Sequence, residues 1–459
     1  MEPLFLIVIL AGIPSIINAM RTLAVLCAAA LGIGAQTPGI EIHIDASSSS
    51  DIHLQASIPE GPPVSEKTAG SAVSKDTPLT SEALLLARIK LHMMEILEKQ
   101  PNYTCLETVE RSQRDGYTRA YRLQDTLRIE VALVNGKEMF SWPGSKQFED
   151  KDLRKMVPTG TFGTGDFALH ARSVFGGRVA SFEPRGQELL DGVSAVRYDF
   201  RVPLLQSGYR IRTNDAQAFV AYHGSFWVDP QSLDLRRLEV IVDDPPPVLK
   251  LKSVSDRMDY ARIRIGDGDF LLPDSSEVAL MDIHGTESRN RLRFTSCRQY
   301  SGQSVLSFGD PGPGADAAPR PAKVELELPK NQRLALNLLN ELDLDSAAVG
   351  DPVEAQLHHD LKVHGQMLLP KGALFHGRIS RLERGEKYIV LGMIFTDAES
   401  ATAHVDLKLA FDRVMGVMES VDSPGQNWQM APPLEHEGLM VFRNTRVRLR
   451  RGILFYWTT

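Results

Sequence analysis

Residues 80–111 read TSEALLLARIKLHMMEILEKQPNYTCLETVER, a helix that runs into a strand. At 100° per residue, Leu85, Ile89, Met93 and Ile96 fall within one third of the helix circumference, with Leu86 and Leu97 at its margin. Arg88, Glu95, Glu98 and Lys99 lie opposite. Thr80 or Ser81 can supply the capping oxygen, Glu82 suits the positive N-terminal end, and Pro101 stops the helix before NYTCLETVER begins. A single apolar stripe has to dock on another element, and the residues that follow specify which.

From Tyr103 onward the pattern is that of short alternating strands. Leu127, Ile129, Val131 and Leu133 alternate with Arg128 and Glu130, and Asn135-Gly136 then leads into KEMFSW, a strong hairpin signal. A second hairpin turns at Asp191-Gly192, after which Val196, Tyr198, Phe200 and Val202 alternate with Arg197, Asp199 and Arg201. One face of that strand is apolar and the other charged. The run FVAYHGSFWVDPQSLDLRRLEVIV makes a third pair around Asp229-Pro230-Gln231-Ser232. Further strands are expected near 255–265, 276–283 and 290–299, and Asp166 is expected to cap a short helix, DFALHARSVF. The partner of the long helix is therefore one face of an antiparallel sheet, and the fold class is mainly β with an α+β core.

At 459 residues, with 43% hydrophobic and 24% charged residues and a net charge of −7, the chain suits two domains plus flexible segments. Neither a membrane helix bundle nor a nucleic-acid-tracking surface is indicated. Residues 1–35 hold two apolar runs separated by Met20-Arg21; the second, ending in Gly34-Ala35, matches a secretory signal, and the alternative is an N-terminal anchor that is never cut. Residues 36–79 are rich in Ser, Pro, Gly and Ala and read as a disordered tether. Residues 80–300 form the first β-rich domain, 301–322 a Gly/Pro/Ala linker, and 323–459 a second, smaller β domain whose short strands and Gly-rich turns suit a small barrel. RNTRVRLRRGILF, 443–455, reads as its closing strand.

The long helix followed by a meander containing FWVDPQSLDLRRLEV resembles the exported half-barrel family of the lipoprotein carriers LolA and LolB and the sensor RseB, over about residues 81–300. That resemblance implies a strongly curved sheet around helices, whose concave apolar face holds acyl chains or a partner peptide. PNYTCLETVER together with FSWPG also resembles a family of uncharacterised exported proteins from soil bacteria. The run VGDPVEAQL…GQMLLPKGALFHGRI is similar to the β-barrel domain of TrbI-type conjugation proteins.

Export leaves Cys105 and Cys297 as a candidate disulfide at the two ends of the first β-rich region; two separately buried thiols are the alternative. The apolar-ligand face is assigned to Val196, Tyr198, Phe200 and Val202. Catalytic signatures are scarce: the sequence has no GxSxG, HExxH, CxxC or GxxxxGK[ST]. Gly160-Thr161-Phe162-Gly163-Thr164-Gly165 reads as a helix-entry turn and Gly266-Asp267-Gly268-Asp269 as a turn between strands. His358, Asp360 and His364, with His376 on a following strand, would share a face only if 357–365 were a single strand, and the six-residue gap is then too wide for one ion unless the chain turns. Arg446, Arg448 and Arg450 would point one way from a strand, toward solvent or anionic lipid headgroups, giving a possible peripheral membrane contact. The expectation is a non-enzymatic exported envelope protein with no cofactor and no metal. Its partner is an apolar ligand (a lipid or acyl chain) or an envelope protein, and not nucleic acid; a structural component of an envelope assembly and an unrecognised enzyme are the alternatives.

Overall fold

Helix α1 spans Ser81–Lys99, the stretch its stripe predicts, with Ile89, Met93 and Leu97 buried. Thr80 is its N-cap and accepts from the Ala83 amide at 3.2 Å. Extended Gln100 ends it directly before Pro101. The structure, a computed structural model, describes residues 40–44, 80–300 and 324–459, apart from breaks at 119, 146–147, 149–155, 158–160, 164–168, 177–180, 214–215, 386, 418–420, 423–432 and 445. The signal or anchor, the linker at 301–322 and the Asp166 cap therefore lie outside the described residues.

Ten strands follow in the first sheet: β1 (Tyr103–Arg114), β2 (Arg122–Val134), β3 (Lys137–Ser141), β4 (Ser181–Leu190), β5 (Val193–Val202), β6 (Tyr222–Val228), β7 (Leu235–Val242), β8 (Leu251–Ile265), β9 (Gly268–Asp282) and β10 (Glu287–Gln299). Their spatial order is β3-β2-β1-β10-β9-β8-β7-β6-β5-β4, every neighbouring pair antiparallel. β3 and β4 stand at the two ends of this order, so the sheet is an open half-barrel, and its concave face takes α1 and a second helix, α2 (Leu169–Gly176). The late strands are longer than the sequence pattern indicates, because their ends alternate charged residues that carry no apolar signal.

Register explains both faces. On the convex side Glu110, Arg291, Glu277, Arg257 and Glu239 stand opposite one another across five strands. Opposite charges on directly paired positions support the sheet, as in the Arg291–Glu277 contact of 3.0 Å. The Cys105–Cys297 disulfide links β1 to β10 where their register slips between Thr295 and Arg298 and Ser296 adopts φ 52°. The extra residue of this bulge lets Cys297 face Cys105 on the concave side of the ladder.

The turn joining β6 to β7 is fixed by one carboxylate. Asp229 accepts from the amides of Gln231 and Ser232 at 2.8 and 3.0 Å and pairs with Arg236. Those amides and the guanidinium hold its pKa at about 2, so its stabilising contribution is complete above about pH 4 and disappears as pH falls through 2. Asp229→Asn is expected to cost about 1 kcal/mol at pH 7, with the difference from wild type halved by about pH 3; urea unfolding across that range checks it.

The expected tether opens with a strand, Ile40–Ile44, which pairs with Tyr209–Arg212 and, in parallel, with Thr161–Gly163 in a small separate sheet. The alternating sequence IEIHI accounts for it. Residues 45–79 lie outside the described residues.

A second curled sheet is built from β11 (Val324–Glu325), β12 (Arg333–Leu338), β13 (Pro352–Leu357), β14 (Leu374–Arg384), β15 (Ile389–Glu399), β16 (Ala403–Asp406), β17 (Ala410–Met415), β18 (Gly438–Phe442) and β19 (Leu454–Thr458). Its path runs β11-β16-β15-β14-β13-β12-β19-β17, with β18 also on β15 and Val421–Asp422 on β18. The proposed closing strand at 443–455 is corrected: Arg448–Leu449 is a short two-residue strand, the chain turns at Arg451-Gly452, and β19 is the element that pairs with β12. Apolar Phe455 and Trp457, both buried, determine that choice over the charged arginine run.

The two sheets touch along β2. Leu127 bridges to Val349, Arg128 N donates to Val349 O and Val349 N to Thr126 O, both at 2.8 Å, and the Arg128 guanidinium pairs with Asp351 at 2.6 Å. Gly350, at φ 98°, sits where a Cβ would lie 2.2 Å from Arg128 O and 2.7 Å from the Trp142 ring, so only glycine fits.

Candidate functional site

The concave face divides into an aromatic half and a polar half. On β4–β6, Tyr198 stacks on Phe226 with centroids 5.4 Å apart and planes 11° from parallel, and Phe175 of α2 and Phe182 meet Phe226 edge-on. Phe200 stands beside Gly224, whose missing side chain leaves it room: a Cβ there would fall 2.9 Å from the Phe200 ring and 1.8 Å from Glu239 O. The assigned face residues Val196, Tyr198, Phe200 and Val202 are all on this side and all buried. They form the wall against which the two helices pack, and so belong to the core of this closed arrangement.

The polar half went unnoticed in the sequence. Following one row of paired residues across the sheet gives Asp125, Arg111, Asn290, Val278 and Asp256, all on the concave side. Arg111 pairs with Asp125 through Nε at 2.7 Å. Asp256 is contacted by Ser276 Oγ at 3.0 Å and by His170 Nε2 of α2 at 2.8 Å, and both carboxylate and imidazole are within 2% of complete burial. The carboxylate is thus the hub, with the serine hydroxyl spent on it. A nucleophilic triad instead places the imidazole between serine and carboxylate. The signal was present: Arg111, Asp125, Asp256 and Asn290 each sit on the apolar phase of their strand, but the phase has meaning only once the register is known.

Helix α1 is moored at few points. Tyr198 Oη donates to Glu82 O at 3.2 Å, and His92 contacts Asp234 at 3.0 Å. Burial raises the Asp234 carboxyl, but Arg262 and His92 outweigh this and hold it below the usual carboxylate range. At the far end Arg172 of α2 donates to Leu97 O and Gln100 Oε1, both at 2.9 Å, and Gln100 Nε2 donates to Leu271 O at 3.1 Å. Ser173 Oγ meets Tyr222 Oη at 2.9 Å. The roof over the aromatic wall is two helices held to the sheet by side-chain hydrogen bonds, without strand pairing.

The histidines of the second sheet are dispersed. The chain turns after Leu357 and again at His364-Gly365, where His364 has φ 49°, so 357–365 is not one strand. His358 Nδ1 is 2.8 Å from Asn337 Nδ2, Asp360 accepts from the Lys371 amide, and His376 Nδ1 is 2.8 Å from Asp397. No group of three or more His, Cys, Asp or Glu side chains suited to a metal is gathered among the described residues. Gly266-Asp267 turns between β8 and β9 as its sequence indicates. Thr161–Gly163 is a strand, and the residues on either side of it lie outside the described ones. Arg448 is paired with Asp343 at 2.6 Å. Among the described residues no helix is long and apolar enough to cross a membrane.

No family model and no curated protein matches the chain. Among solved structures the chain is similar to a putative outer membrane lipoprotein-sorting protein domain from Vibrio parahaemolyticus, at 11% identity and a TM-score of 0.26, covering 48% of this chain and 93% of that one. It is also similar to a DUF1329 family protein from Desulfovibrio piger, at 11% identity and a TM-score of 0.25, covering 47% and 92%. The half-barrel assignment rests on the strand order and the helices inside it.

Proposed function

We propose that this chain is a non-enzymatic exported protein of the cell envelope whose half-barrel, residues 80–300, takes up a lipid or acyl chain between its concave wall and helix α1. The observation that carries the reading is the concave wall itself, aromatic on β4–β6 and polar at Arg111, Asp125 and Asp256, roofed only by helices held through side-chain hydrogen bonds. Lifting the roof exposes an apolar trough for a chain and a charged row for a headgroup. Each methylene buried there contributes about 0.8 kcal/mol. The disulfide supports an oxidising compartment, and the lipoprotein-sorting title of one similar structure is consistent with this reading.

Native mass spectrometry of protein purified from a membrane-containing lysate, with displacement of a fluorescent fatty-acid probe, tests the proposal. If opening precedes binding, Tyr198→Phe removes a hydrogen bond that contributes about 1 kcal/mol to the closed state. Apparent probe affinity should then rise up to about fivefold, because the open fraction limits it. Ligand-free spectra together with no probe binding by either protein would move the assignment to a structural component of an envelope assembly.

A further inference from the structure

The two ends of the half-barrel differ in what their turns present. At the end where β1 finishes and β10 begins, Tyr117 and Leu205 are fully exposed, and Leu204, Phe219, Val248 and Ile283 are each about half exposed. These six lie on four separate connections: β1–β2, β5–β6, β7–β8 and β9–β10. The register places all four at one rim, since Arg114 pairs with Glu287, Leu251 with Asp282, and Tyr222 with both Val202 and Val242. The turns at Gly116 and Gly285 touch, a Cβ on the first falling 3.4 Å from the carbonyl of the second. At the opposite rim the turns are Asn135-Gly136, Asp191-Gly192, Asp229–Asp234 and Gly266-Asp267, with Leu189 and Val193 the exposed apolar residues beside them.

Charge at the apolar rim favours an anionic surface. Arg122, Arg201, Lys250 and Lys252 are exposed there. Its carboxylates are drawn inward: Asp115 accepts from the Tyr117 and Thr118 amides, Asp282 from those of His284 and Thr286, and Asp243 is held by Arg201 and His223. Asp244 is exposed among them.

We infer that this rim docks on the surface of an anionic phospholipid bilayer, with Tyr117, Leu204, Leu205, Phe219, Val248 and Ile283 entering the interface. The tips are spread over roughly 30 Å of curved sheet edge at about 4.8 Å per strand, on turns separated from one another. A bilayer accepts such scattered points without a complementary shape, whereas a protein partner requires a contiguous patch. Basic residues flanking apolar tips add attraction to anionic lipid. The inference rests on exposure and topology and holds whether or not the half-barrel carries a ligand.

The test reads the rim locally, so that the apolar runs of residues 1–35 do not confuse it. The full chain carrying Leu205→Trp, and separately Leu189→Trp at the opposite rim, is mixed with phosphatidylglycerol/phosphatidylethanolamine vesicles whose acyl chains are brominated, and emission is compared with wild type. Quenching at position 205 and not at 189, weakened in phosphatidylcholine vesicles, is expected. The full chain carrying Leu204→Ser and Leu205→Ser together should lose that vesicle-bound fraction, with binding through the rim weakened roughly tenfold per leucine removed. Equal quenching at both positions, or none at 205, overturns the inference, and the second of these leaves a protein surface as the occupant of the rim.

Discussion

Removing the Cys105–Cys297 bond with Cys105→Ser and Cys297→Ser lowers the unfolding free energy of the half-barrel by about 5 kcal/mol in the chain-entropy model. The magnitude follows from the 192-residue separation of the two cysteines, which makes the constrained loop of the unfolded chain a long one. Cys105 is buried and Cys297 packs against the core, so the serine pair also places a hydroxyl in an apolar setting and adds to the loss. Denaturant unfolding of wild type with and without reductant, beside the double variant, separates the two contributions. A wild type whose midpoint is indifferent to reductant would mean that the bond adds nothing, whatever its geometry.

The second large effect is at Phe226. Its side chain is fully buried and meets Tyr198, Phe175, Phe182 and Phe200, so it is the common neighbour of the aromatic wall and helix α2. Phe226→Ala is expected to destabilise by about 3–5 kcal/mol through lost burial and the cavity left behind. The cavity opens in the trough itself. If the trough takes acyl chains, a saturating fatty acid should therefore restore more of the thermal midpoint to the variant than it adds to wild type. Equal shifts in the two proteins would place the ligand elsewhere.

Much of the half-barrel was legible because its signals are local. The stripe from Leu85 to Leu97, the Thr80 cap and Pro101 delimit α1 without tertiary information, and Asn135-Gly136 and Asp191-Gly192 both adopt the positive φ values that such hairpin turns need. The apolar residues of β5 point inward as their alternation requires. What remained hidden depends on register. Arg111 and Asp256 look like ordinary strand polar residues until pairing aligns them on the concave side, and His170 reaches Asp256 only because α2 lies across β8. In the second sheet the local pattern misled: the arginines of 443–451 alternate well, yet buried Phe455 and Trp457 decide which strand pairs with β12. The rim was invisible for a related reason, since single exposed apolar residues at 117, 205, 219, 248 and 283 have no meaning until topology gathers their turns.

The pairing of β1 with β10 also bears on how the protein is made. Contacts of such sequence separation are slow to form, because the loop must close before they contribute. While the chain emerges N-terminus first, β1 has β2 beside it early, but its other edge stays open until Gln299 has appeared. Hairpins such as β2–β3 and β6–β7 need no such wait. The nascent half-barrel thus spends its synthesis and export as a set of separate meanders with one unpaired edge in the middle, a state in which holding factors can engage it and in which self-association is the main hazard. Oxidation of Cys105 and Cys297 comes at the end of that sequence, sealing an arrangement already reached rather than directing the chain toward it.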